Sequence, residues 1–169
     1  MIHINIVHSS SLDKEEIEYL EKMFGYEFGH IDIQWSTPEW YLIAKCEDKI
    51  IGRIGILRRA ITVGREVFEV GGISGVIVSS EWRNKSISKL TMNEVATFIK
   101  DNLKLDFGLL LCRDEVVPVY EQCNWYIVKN NTVFSQSTGE KIYSKNTMVI
   151  ECRDKKWPEG SINLNGLPW

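Results

Sequence analysis

Histidine is scarce in this chain, and any pattern that would gather a metal is missing. There are three histidines and four cysteines in 169 residues. Cys46, Cys112, Cys123 and Cys152 stand far apart, without the short spacings of metal ligands. Nothing places His3, His8 or His30 beside any of them in sequence, which argues against a catalytic cysteine–histidine pair. The cysteines mostly sit in apolar stretches, so buried, reduced thiols of a cytoplasmic protein are expected, with no metal cofactor. No apolar run approaches the ~20 residues of a membrane span. Met1-Ile2-His3-Ile4 lacks the charged start and long apolar core of a signal peptide. No membrane partner is therefore expected. Charge of one sign is also lacking: 20 basic against 23 acidic side chains leave a net charge of −3. That removes the electrostatic footprint of a nucleic-acid binder, and a mildly acidic surface suits a cationic substrate. Repeats and linkers are absent, so residues 1–169 read as one domain, long enough for a proper core.

What is present is organised around Val70 to Leu90, VGGISGVIVSSEWRNKSISKL. An apolar strand, broken by Gly71, Gly72 and Gly75, crosses a polar turn into a helical pattern. Ile87, Leu90, Val95, Phe98, Ile99 and Leu103 recur at the three-and-four spacing of one buried helix face. The first turn of a helix has four unpaired N–H donors and the positive end of the dipole. Arg83, Lys85 and Lys89 add charge at the same place. The demand this meets is a phosphate or pyrophosphate, although a basic turn can also be a plain solvated connection.

The stretch VIVSSEWRNKSISKL resembles the acetyl-CoA-binding motif of the GCN5-related N-acetyltransferases, the GNAT family. Arg83 stands at that family's Arg/Gln position, while Ser86 and Ser88 replace its usual glycines. A serine keeps the backbone N–H and adds a hydroxyl, but it brings a Cβ toward the phosphate. A second stretch, VYEQCNW from Val119 to Trp125, resembles the family's later motif, with Asn124 in place of glycine. Two motifs in the right order are far more specific than one.

The rest of the chain fits the same plan. Ile2–Val7 alternates as a strand. Ser9-Ser10-Ser11 before Asp13, Glu15 and Glu16 reads as a helix start, with Ile17, Leu20 and Phe24 inward and Gly25 as the stop. Residues 26–40 show no period; their aromatics and acids either line a substrate mouth or pin a loop to the core. Two hairpins follow, turning at Glu47-Asp48 and at Gly64. The glycines of the third strand predict a bulge or a close backbone approach. DFGLLLC, from Asp106, reads as a buried parallel strand, and Asp114 opens a short helix that carries Tyr120. Residues 130–146 read as a loop or exposed hairpin. The tail is anchored by Trp157, Ile162, Leu164, Leu167 and Trp169.

The resemblance implies an α/β (α+β) GNAT acyl-CoA N-acyltransferase fold: a mixed, mostly antiparallel sheet with helices on both faces. It implies acetyl-CoA as co-substrate, held by Ile77, Val78, Arg83, Asn84, Lys85, Ser86, Ile87 and Ser88. Backbone N–H groups near Ile77 and Val78 would polarise the thioester. Tyr120 would protonate the departing thiolate; the plain alternative is a tyrosine capping the core. Within the family the chain looks closest to the aminoglycoside 2'-N-acetyltransferases and the nodulation acyltransferases. On that pattern Asp32, Trp35, Ser74 and the carboxylate of Trp169 would face the acceptor. The glutamate that many relatives carry on the glycine-broken strand is replaced by Ser74, and neither Glu69 nor Asp114 earns the role of base. The expected activity is direct acetyl transfer to a primary amine of a small molecule, such as an aminoglycoside-like polyamine, by a monomer or homodimer. Alternatives are a longer acyl chain, a protein amine, or a non-catalytic CoA-binding sensor.

Overall fold

The computed structural model describes residues 1–83 and 86–169. Its centre is a long hairpin of β3 (Lys49–Val63) and β4 (Glu66–Val78). β2 (Trp40–Cys46) enters β3 through Glu47-Asp48, and β1 (Ile2–His8) lies antiparallel on β2. On the other side, β5 (Phe107–Cys112) runs parallel to β4. Beyond it come β9 (Asn146–Glu151) and β6 (Tyr126–Val128), both antiparallel to their neighbours. β7 (Thr132–Gln136) and β8 (Gly139–Ile142) form a hairpin. β10 (Ile162–Asn163) fits between β7 and the end of β3. β3 therefore changes partners along its length: β2 flanks Lys49–Ile56, and β10 flanks Thr62-Val63. The sheet is mixed and mostly antiparallel, as expected.

The alternation of β2 shows how the helices are distributed. Leu42 packs in one cluster with Met92, Val95 and Ile99 of α2 (Ile87–Asp101). Tyr41 and Ile43 pack instead with Leu20 of α1 (Lys14–Phe28). Successive strand side chains point to opposite faces, so α1 and α2 cover opposite faces of the sheet. That is why Tyr41 through Ala44 are all buried. α3 (Val117–Glu121) is the short helix after β5; it leaves through Asn124 at φ +65°, the left-handed exit expected of that residue.

Several local expectations need correction. The three serines form a single 3-10 turn, and Asp13 is the cap of α1. Asp13 and Glu16 make a reciprocal capping box, which competes better for the helix N–H groups than isolated hydroxyls. Gly25 does not stop α1, which continues to Phe28 and ends at Gly29. A glycine inside a helix costs only about 1 kcal/mol, and tertiary packing of the last turn outweighs it. Leu90 faces solvent, and Thr91 and Met92 take the inward positions. Of the two readings of residues 130–146 the hairpin holds, as β7 and β8, and only its exposure is corrected, since Thr132 and Phe134 are buried.

The predicted bulge is present in β4. Arg53 faces Ile77 and Gly55 faces Ser74, so Ile54 stands opposite both Gly75 and Val76. Gly75 has φ +54°, a left-handed conformation that glycine adopts without a Cβ penalty. Arg53 is buried beneath this kink, 1% exposed, with Nη1 donating to the Leu20 carbonyl at 3.1 Å. Glu21 lies 3.6 Å from the same nitrogen, and the guanidinium faces the rings of Phe24 and Tyr41. Burial lowers its pKa, while the Glu21 carboxylate pulls it back up.

Candidate active site

β4 and β5 part company after Ile73 and Leu110. β4 continues to Val78 and β5 to Cys112 without pairing with each other, so their facing backbone groups open into a gap. A cavity of about 130 Å³ fills this gap. Its floor is Ile73, Gly75 and Val76 on one side and Leu110, Leu111 and Cys112 on the other. The last turn of α1 closes it with Phe24, Glu27 and Phe28, whose spacing puts them on one helical stripe, and Ile31 follows just past the helix end. Trp35 and Trp169 complete an apolar wall, and Phe24 and Phe28 each meet the Trp35 ring.

The polar groups of the cavity are few. Tyr120 reaches it from α3 and is 7% exposed. Burial raises its phenol pKa, and the thiol of Cys112 adds to the effect, while Arg113 opposes it. Tyr143, which the sequence patterns did not single out, lines the same cavity and is pushed up to about 12, again mainly by burial. Cys112 is likewise pushed up to about 12 by burial and then by Asp114, so its thiol stays protonated and unreactive at neutral pH. Among the described residues, Glu27 is the only carboxylate side chain in the cavity wall and Arg113 the only cationic one; Trp169, which also lines it, is the C-terminal residue.

The other expected site residues are distributed around this centre. Ile77 and Val78 sit on the part of β4 beyond its pairing with β5, both buried, but the cavity wall is formed by Gly75 and Val76. Arg83 closes the turn at the end of β4: its Nε donates to the Val78 carbonyl at 3.2 Å, and its Nη2 lies 3.7 Å from Glu27. Asn84 and Lys85 lie outside the described residues. Ser86 caps α2 in a left-handed conformation at φ +59°, without a side-chain cap bond. Ile87 is buried against Val78 and Ile51, and Ser88 is half-buried in the first turn. Trp35 and Trp169 line the cavity; Ser74 is buried beside it but off its wall, and Asp32 is exposed next to Ile31. Among the described residues no group of three or more His, Cys, Asp or Glu side chains comes together. No helix among them is long and apolar enough to cross a membrane.

The fold and its parted strands can be set beside known proteins. A family model described as nodulation protein A (NodA) matches residues 28–166. The chain belongs to the NodA family. A putative glycylpeptide N-tetradecanoyltransferase of Amsacta moorei entomopoxvirus is 23% identical over 90 residues, half of this chain and 30% of that protein. Among solved structures, Escherichia coli ElaA is 15% identical, with a TM-score of 0.65 over 89% of this chain and all of that one. The GNAT protein YhbS of E. coli, solved with CoA, is 13% identical, with a TM-score of 0.64 over 96% of this chain and 89% of that one. A GNAT acetyltransferase of Brucella melitensis, solved with acetyl-CoA, is 11% identical, with a TM-score of 0.61 over 95% and 94%. The GNAT resemblance, its nodulation branch and the acyl-CoA N-acyltransferase fold are all borne out. An acyltransferase is the enzyme class that this NodA-family chain and its relatives support.

Proposed function

We propose that this NodA-family protein transfers an acyl group, acetyl in the simplest case, from coenzyme A to a primary amine of a small molecule. The reading is carried by one observation: Tyr120 stands in the cavity where β4 and β5 part. The thioester would lie in that gap, and the N–H groups of the unpaired part of β4 would polarise its carbonyl. The pyrophosphate would meet Arg83 and the start of α2, where unpaired N–H groups and the helix dipole favour an anion. Trp35 and Trp169 would hold the acceptor side.

Tyr120 then has to give a proton to sulfur. In water a phenol, pKa about 10, is a weaker acid than a thiol at about 8.5, so the transfer would run uphill. Cys112 is a gauge for sulfur in this cavity, and burial pushes its thiol up to about 12. A departing thiolate in the same surroundings meets a similar penalty, and burial raises the Tyr120 phenol as well, so both partners of the proton transfer shift the same way. The amine lone pair attacks the carbonyl carbon, the C–S bond breaks toward sulfur, and the phenol proton goes to the thiolate. The phenolate recovers a proton from the new amide nitrogen.

A longer acyl chain is the second reading, favoured by the apolar wall of Phe24, Phe28, Leu110, Trp35 and Trp169. Following thiol release from acetyl-CoA and from longer acyl-CoAs, with spermidine, an aminoglycoside and a lysine peptide as acceptors, separates the two. Tyr120→Phe is expected to lower turnover by about 10²–10⁴-fold. Its CoA affinity should hold by calorimetry, and Tyr143→Phe should fall much less. Full activity in the Tyr120 variant would make that residue structural. CoA binding without turnover in the wild type would indicate a sensor.

A further inference from the structure

The proposed reaction needs a group to take a proton from the acceptor ammonium, and β4 offers Ser74 where an acid would serve. A carboxylate side chain lines the cavity from α1 instead. Glu27, on the last turn of α1, is the only carboxylate side chain among the described residues that line the cavity, which it shares with Tyr120 and the parted strands. Its two oxygens are divided between two cations. Oε2 lies 3.7 Å from Nη2 of Arg83, on the turn that leads into α2, and Oε1 lies 3.8 Å from Nη2 of Arg113, at the end of β5. Both separations are long for charge-assisted hydrogen bonds, which run near 2.8 Å, and all three side chains are partly solvated. Glu27 is therefore held loosely, between the turn that would receive a pyrophosphate and the cavity that would receive an amine.

We infer that Glu27 is the carboxylate that binds the acceptor ammonium and takes its proton, and that it is unmasked when a CoA pyrophosphate draws Arg83 away. This rests on the acyl-CoA reading above. The carboxylate accepts one proton from the ammonium, giving a carboxylic acid and a neutral amine whose lone pair is free to attack. When product leaves, that proton passes to solvent, so the cycle releases one proton per amide formed. The groups that set the pH response are Arg83 before α2, Arg113 and Cys112 at the end of β5, Tyr120 on α3 and Tyr143 before β9. The two arginines lie nearest the Glu27 oxygens, and the two phenols and the thiol stay neutral at neutral pH. Because Glu27 and the pyrophosphate compete for Arg83, CoA binding and amine binding are coupled, with CoA favoured first.

The test is a pair of measurements on Glu27→Gln and Glu27→Asp. Calorimetry with CoA should show Glu27→Gln binding about two- to fivefold more tightly than wild type, since a competing ion pair is gone. Amine kcat/KM should fall about 10²–10⁴-fold. Its dependence on pH should lose the wild-type acid limb and climb instead toward the amine's own pKa near about 10. Glu27→Asp should recover part of the rate. Amine turnover in Glu27→Gln within a few fold of wild type, with the same pH profile, would overturn the inference. So would weaker CoA binding together with a lower melting temperature, which marks a strut between α1 and the turn. A wild type that binds CoA and acylates no amine would remove the acyltransferase reading itself, and the inference with it.

Discussion

Ser86 holds a backbone conformation that a serine makes costly. At φ +59° it is in the left-handed region, where a Cβ-bearing residue loses about 1–2 kcal/mol against the right-handed form. Glycine would remove that cost, at the expense of about 0.4–1 kcal/mol of extra chain entropy in the unfolded state. Ser86→Gly is expected to raise stability by about 0.5–1 kcal/mol, read by denaturant unfolding. Ser88 is a different case, because it lies inside the first turn of α2. Ser88→Gly should lower stability by about 0.5 kcal/mol, the difference in helix propensity. The two serines looked equivalent as departures from one glycine motif; their backbones separate them. At this scale Arg83 and Tyr120 could be picked out as candidates because each sits in a contiguous motif whose neighbours lie beside it in the chain. Glu27 and Tyr143 were not readable, since what makes them site residues is contact with elements far along the sequence.

At the scale of elements, the tail and the glycines of β4 explain each other. Trp169 is 2% exposed, and its indole N–H donates to the Leu109 carbonyl of β5 at 3.1 Å. The ring lies flat enough on Gly72 that any Cβ there would collide with it. Arg59 lies over the same indole, its guanidinium carbon 5.3 Å from the ring centroid, and also donates to the Leu167 carbonyl. Gly72→Ala should therefore cost about 1–3 kcal/mol by overpacking, and Trp169→Ala about 3–5 kcal/mol by leaving a void. In the double variant the two losses should not add, since the alanine methyl enters space the indole has left; denaturant unfolding of the four proteins checks this. The sequence showed an anchored tail and a glycine-broken strand, but not that one accounts for the other. The stop placed at Gly25 hid Glu27 in the same way. With α1 carried to Phe28, Phe24, Glu27 and Phe28 fall on one stripe.

Across the whole molecule, the β2–β3–β4 meander and the parallel character of β5 were legible from hairpin turns and from one continuous apolar run, because those signals are local. The small strands β6 and β10 were not, since two or three residues carry no period. Glu151, at the end of β9, ties β6 to the segment that precedes β10. It accepts from Lys156 Nζ at 2.8 Å, from the Trp157 backbone N–H at 3.1 Å and from the Tyr126 hydroxyl at 2.8 Å. These bonds, Lys156 first, lower its pKa below the usual carboxylate value. A depressed carboxylate contributes stability above its unfolded pKa, about 4.3, and that stability is lost as pH falls through the lower folded value. Glu151→Gln should thus be less stable than wild type at pH 7. The gap should close on acidification below about pH 4, as read by melting temperature across pH.

The change of partners along β3 has a consequence for synthesis. β3 and β4 leave the ribosome early, whereas Ile162 and Asn163, which cover the far end of β3, are made only after β5 through β9. During that interval Ile61 and Val63 lie beside an open strand edge with nothing to pair against. Open apolar edges recruit other chains. A nascent or prematurely ended chain would already hold Arg83 and Tyr120 and still display a ribbon for aggregation. Slow elongation or a shortage of chaperone would then lower the yield of folded protein without touching a single site residue.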